Sequence, residues 1–390
     1  MSDDSGDDSG NESGNDPLRH PLFGPMARAL AGSGPIHWDV ARQTAMMIAT
    51  GGSPEVNVDP TTRIAIERLA PIAEMHVRDV TQLEVSASSI AVVDRSSWVH
   101  HTLAEWRTFF SSLAGSLQPP ADRDADPVAA MLANVGRMIA PAMTGMSIGS
   151  MIGTLSTTSF GCYDLPLPRD PHGAIRIIGR NVDEFAREWS LEADDVRMWV
   201  VVHELATHAV FNVADIRNHV VALITRFAGA FRPDPEALMH GLTDVDPSSA
   251  DPMALMQRFV DDPTLLIGAV RSPEQDRMQP ILDAAMTALI GFVDVSVDEV
   301  TNRVLGSSSR ISEAVRRRRV EESSQRTVVE NLLGLRLDRE GVAAGRAFVN
   351  GVVERGGRDA LARMFTAAHR LPTPAEIAAP GLWLARVEFD

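Results

Sequence analysis

Four residues in one apolar stretch carry the chemistry this chain could do. Within Trp199–Phe211 (WVVVHELATHAVF) stand His203, Glu204, Thr207 and His208. On an α-helix, two histidines four residues apart sit about 40° apart around the axis and can grip one metal ion. A glutamate beside the first can hold the attacking water as general base. Here the second histidine follows His203 at five residues, not four. Five residues rotate by about 140°, so the two imidazoles diverge unless a π-bulge realigns them. Val200, Val201, Val202, Leu205, Ala206, Ala209, Val210 and Phe211 leave almost no polar face. The segment is therefore predicted to be a buried helix whether or not a metal binds.

Other reactive residue types carry weaker patterns. His100 and His101 are adjacent, so in a helix they point apart and read as surface residues. His219 follows His208 by eleven residues, about 16 Å along a helix, too far to share one metal. Asp94, Arg95 and Trp98 read as a structural ion pair and a core anchor. The run Arg316–Arg319 stands beside Glu313, Glu321 and Glu322, which cancel its charge locally, so it reads as a solvated helix face. Cys162 is the single cysteine, which excludes an internal disulfide and a cysteine-based zinc cluster. Neither a glycine-rich phosphate loop nor a GxSxG elbow is present.

The elements that must position these groups read as helices. Ile36–Ala49, Thr61–Thr81, the stretch from Asp94 through Leu113, Asp183–Trp189, Asp194–Phe211 and Asp276–Val304 show helical apolar spacing. Ser88–Val93 is a short β-branched run. Ala174–Ile178 (AIRII) is the best strand candidate and is expected at an exposed edge. Between Met138 and Tyr163 there is no charged residue, and Gly145, Gly149 and Gly153 recur every four residues. That spacing suits a membrane helix pair or a buried helix packed tightly on a neighbour. Pro141 and the Ser and Thr content favour the second. Sub-boundaries are expected near 116–126 and 232–263, where Pro and polar residues interrupt the pattern.

The 390 residues are 44% hydrophobic, 5% aromatic and 23% charged. That is enough apolar material for a substantial core built from aliphatic residues, and it rules out a wholly disordered or collagen-like chain. The 36 basic residues are all arginine and face 52 acids, for a net charge of −16. Such a balance argues against nucleic acid or an anionic membrane as partner. Residues 1–17 begin with six acids and no base (MSDDSGDDSGNESGND) and are expected to form a disordered tail, followed by one folded region over 18–390. No export signal is visible, so a cytoplasmic location is expected.

A set of motifs extends over nearly everything after the tail. It comprises His37-Trp38-Asp39, Val93-Asp94-Arg95 with Trp98-Val99, Gly161–Pro168 (GCYDLPLP), Trp199–Phe211, Leu289–Asp294 (LIGFVD), Arg316–Arg319, Gly345–Val349 and Leu371–Pro374. In these the chain resembles the actinobacterial family of zincin-like, zinc-dependent metalloproteases. The resemblance implies a mainly α, zincin-like metallopeptidase fold with a small β element before the active-site helix. It implies zinc as cofactor, held by two histidines of that helix and by an acidic residue from a later Glu-Gly helix, with Glu204 as general base. Aligned without gaps, Thr207 occupies the second histidine position and Ile290 the position of the glutamate before Gly291. A threonine hydroxyl is a poor zinc ligand and isoleucine is none. Asp294, one turn beyond Ile290, could lean toward the same spot, so His203, His208 and Asp294 are the candidate ligands. Two functions follow. One is a weakly active or non-catalytic relative with a degenerate zinc site. The other is an active zinc metalloprotease using His203, His208 and an acidic residue, with Glu204 as base. Both imply a peptide or protein as substrate or partner.

Overall fold

The structure, a computed structural model, describes residues 34–85, 89–117, 127–233, 269–306, 309–321 and 324–389. The expected acidic tail and most of the two expected sub-boundary segments lie outside those residues. The chain runs α1 (Trp38–Thr50), α2 (Pro60–Thr81), β1 (Ile90–Val93), α3 (Arg95–Glu105), α4 (Arg107–Ser116), α5 (Pro127–Thr158), β2 (Ile175–Ile178), α6 (Gly179–Glu188), α7 (Ala193–Asn212) and α8 (Ala214–Ala228). A two-residue antiparallel pair follows, β3 (Arg232–Pro233) with β4 (Ala269–Val270). Then come α9 (Pro273–Leu305), α10 (Ser309–Glu321), α11 (Ser324–Leu332), α12 (Arg339–Ala362), two short 3₁₀ turns, α13 (Pro374–Ile377) and α14 (Pro380–Phe389). The fold is mainly α, as the sequence predicts.

Local chemistry explains where the helices begin. The Asp59 carboxylate accepts from the Thr61 N–H at the start of α2, and Pro60 occupies a first-turn position where its missing N–H costs nothing. Asp94 caps α3 through the Ser97 N–H at 2.7 Å. The expected Asp94–Arg95 ion pair is thereby corrected. Asp94 is spent on the cap, and Arg95 reaches Glu184 at 2.9 Å and Asn181 at 2.8 Å on α6. Trp98 is a core anchor, as expected, with its indole N–H on the Gly161 carbonyl at 2.8 Å. Ser272 and Gln275 form a reciprocal capping box at the start of α9, which is one continuous helix.

The small β element consists of β1 and β2 paired in parallel, Ile90 opposite Ile175 through Val93 opposite Ile178. Its strands are not the exposed edge expected for Ala174–Ile178. Ile175, Ile177 and Ile178 are buried, because α3 and α7 pack against the strand. A parallel pair needs a long crossover, and here the crossover includes α3, α4 and α5.

The glycines of α5 face α1. A Cβ at Gly145 would lie 2.5 Å from the His37 carbonyl oxygen, and one at Gly149 would lie 2.4 Å from that of Ala41. Ala41, Ala45 and Ala49 supply the matching small side chains on α1. Two helices, Met138–Thr158 within α5 and α9, are long and apolar enough to cross a membrane, and over half of each is buried against the rest of the chain. The expected solvated face at Arg316–Arg319 is half right. Arg316 and Arg317 pair with Glu313, but Arg318 lies over the Phe160 ring at 3.8 Å and near Phe185 at 5.4 Å.

Candidate functional site

Helix α7 runs through the middle of the molecule. Every residue from Met198 to Phe211 is buried, including His203, Glu204, Thr207 and His208. Asp194 and Asp195 in its first turn complement the positive end of the helix dipole. The helix is α throughout, without a bulge. His208 therefore stands about 140° around the axis from His203. It meets the loop before β2, with Nδ1 2.9 Å from the Tyr163 hydroxyl. Burial, with a smaller contribution from Arg217, lowers its pKa to about 4, so its imidazole is neutral at pH 7.

Glu204 is completely buried and lies under the same loop. Both carboxylate oxygens accept the Tyr163 N–H, at 3.1 and 3.0 Å. The closeness requires Gly161, where a Cβ would come 2.5 Å from the Glu204 carboxyl carbon. Burial raises the Glu204 pKa above the ordinary carboxylate value, and His203, with Nδ1 3.7 Å away, opposes the shift. The loop is held from its other side by Arg169, which donates to the Cys162 carbonyl and pairs with Glu105 at 2.6 Å. Cys162 is buried, and desolvation pushes its thiol up to about 11, far from thiolate chemistry at neutral pH.

A cavity of about 60 Å3, room for several waters, opens on the third side of α7. His203 and Thr207 line it from α7, Ile290 and Asp294 from α9, Tyr163 and Asp164 from the loop, and Arg326 and Glu330 from α11. Met286, Leu289 and Val293 add an apolar wall. The close approach of α9 to α12 fixes that wall. A Cβ at Gly291 would lie 2.2 Å from the Gly345 carbonyl carbon, so only paired glycines permit the crossing. The structure thus brings His203, Thr207, Ile290 and Asp294 to one cavity, and leaves Glu204 and His208 outside its lining. Tyr163 and Asp164 belong to a motif recognised in the sequence without a role. Arg326 and Glu330 carry no local pattern there, because α11 reaches the cavity only through the tertiary fold.

The zincin-like metallopeptidase sequence model matches residues 36–384. The chain belongs to this family. No curated protein matches it. Among solved structures it is similar to the crystal structure of a "putative hydrolase with a novel fold" from Chloroflexus aurantiacus, at 21% identity and a TM-score of 0.64, covering 91% of this chain and 99% of that one. That likeness shows a shared fold.

A zincin-like family implies zinc, and a catalytic zinc takes three protein ligands with a fourth position left for water. The cavity offers His203 and Asp294 where such ligands could stand. Between them, the Thr207 hydroxyl donates to the His203 carbonyl at 2.8 Å, and Ile290 offers only an alkyl chain. Among the described residues, no three His, Cys, Asp or Glu side chains are grouped to hold a metal ion. This donor set does not fit a three-ligand zinc site.

Proposed function

We propose that this zincin-like protein is a non-catalytic member of its family that keeps the peptidase cavity as a binding site for a peptide segment. One observation carries the reading. At the helix position where a second histidine would face the cavity stands Thr207, whose hydroxyl is bonded back into its own helix. Ile290 across the cavity removes the acidic partner. Glu204, the candidate base, is engaged with the Tyr163 backbone and does not line the cavity, which adds support. What remains is a small, partly apolar recess flanked by polar side chains, the usual character of a binding pocket.

The test is zinc stoichiometry by atomic absorption after dialysis, with peptide hydrolysis measured alongside. Wild-type protein is expected to hold well under one zinc per chain and to cleave no peptide. The variant carrying Thr207→His and Ile290→Glu is expected to hold one zinc. Stoichiometric zinc in the wild type, with hydrolysis lost in Glu204→Gln, would establish instead an active metalloprotease using His203, Asp294 and a realigned His208.

A further inference from the structure

Among the described residues, the cavity is lined by more carboxylates than guanidinium groups: Asp164, Asp294 and Glu330 against Arg326. Arg326 is buried and already divided. It contacts Asp164 Oδ2 at 3.3 Å, donates to the Asp164 carbonyl at 2.8 Å, and pairs through Nε with Glu330 at 2.9 Å. Asp294 is placed differently. Its side chain is 14% exposed, and among the described residues it accepts no hydrogen bond. Its one ion pair is long, 3.9 Å to Arg346, and the same guanidinium sits 2.7 Å from Asp298. A carboxylate that faces a cavity and accepts no hydrogen bond keeps its acceptor capacity for a donor that enters there. Beside it the wall is aliphatic, built from Leu289, Ile290 and Val293.

We propose that the cavity takes a basic side chain of a peptide, lysine or arginine, with its ammonium or guanidinium on Asp294 and its methylene stem along Ile290 and Val293. The inference rests on the reading of the cavity as a peptide-binding site and specifies the residue it selects. The chemistry is complementary on both counts. A cationic donor supplies the charge-assisted hydrogen bonds that Asp294 lacks, and the stem of lysine or arginine is an apolar chain that buries well while its head stays polar. The surplus of negative charge disfavours an acidic side chain, and a purely aliphatic one would leave Asp294 unsatisfied.

The probes are N-acetyl-lysine methylamide, N-acetyl-arginine methylamide and the neutral analogue N-acetyl-norleucine methylamide. They are titrated by calorimetry into full-length, EDTA-dialysed protein at low salt. The basic probes are expected to bind about tenfold or more tighter than norleucine, the margin of one charge-assisted hydrogen bond. In Asp294→Asn, an isosteric change, that preference is expected to fall to within about twofold. If Asp294→Asn does not fold, the salt series on the wild type decides. The preference should shrink steadily as salt is raised, because added ions screen the charge pair. Norleucine binding as tightly as lysine would overturn the basic-residue assignment and leave the peptide site standing. Failure of all three probes to bind would overturn both.

Discussion

Both oxygens of Glu204 meet the Tyr163 N–H, and Gly161 must lack a Cβ for the carboxyl to lie there. Its work in this chain is to tie the Gly161–Tyr163 loop onto α7. Glu204→Ala should cost about 2–4 kcal/mol, from an orphaned buried N–H and the space left behind. Glu204→Gln keeps an acceptor and should cost much less, as urea unfolding would read. The pH dependence separates Glu204 from His208. The Glu204 carboxyl is raised by burial, so its contribution is present in acid and lost as pH climbs through its folded value. The imidazole of His208 is depressed to about 4 from 6.5, so its contribution is present above 6.5 and lost as pH falls toward 4. Between pH 7 and pH 5 that loss amounts to about 2 kcal/mol. In His208→Gln, which can still meet the Tyr163 hydroxyl, the drop in stability over that interval should be reduced by about that amount.

The elements meet at glycines, and not all glycines are equal. At Gly149 of α5 an added methyl would strike the Ala41 carbonyl oxygen of α1 at 2.4 Å, so backbone would have to move. Gly149→Ala should destabilise by about 1–3 kcal/mol, the usual cost of overpacking. At Gly115 of α4 nothing lies within 4 Å of the same methyl. Gly115→Ala should be neutral or stabilising by about 0.5 kcal/mol through helix propensity. Thermal unfolding of the pair is the check. Equal effects would mean that α1 and α5 can separate without loss. The same logic holds where α9 crosses α12 at Gly291 and Gly345. That crossing positions the stretch of α9 from which Ile290 and Asp294 reach the cavity, and α12 itself adds Val342 to the lining.

For the molecule as a whole, the family assignment covers residues 36–384, and the fold is shared with a bacterial protein at 21% identity. Folds persist at such distances because they depend on burial pattern and close helix contacts more than on particular reactive groups. Metal affinity depends on a few side chains. If Thr207 and Ile290 alone separate this chain from a zinc site, zinc should raise the melting temperature of the variant with Thr207→His and Ile290→Glu, since a ligand that binds only the folded state stabilises it. Wild-type protein should show no such rise at equal zinc. A rise in both proteins would mean that the wild type already has a metal site.

The sequence by itself showed the helices that carry the site, α7 and α9, and those of the first third of the chain, because a 3.6-residue apolar period is local information, although the stretch from Asp94 through Leu113 is two helices, α3 and α4, and not one. It also showed that His203 and His208 diverge on a regular helix, and the tertiary structure decided that the helix is regular there. It identified Thr207 and Ile290 as the positions to watch, and both line one cavity with His203 and Asp294. The burial of the β1–β2 pair was not legible there. An alternating pattern looks the same at an edge or in a core until the helices that cover it are placed. Nor was the inward turn of Arg318 onto Phe160 and Phe185, or the arrival of Arg326 at Asp164, 162 residues away in the chain. Charge balance in a cavity is a sum over side chains from several elements, so only the tertiary structure could decide that, among the described residues, Asp294 faces the cavity with no ion pair shorter than the 3.9 Å to Arg346.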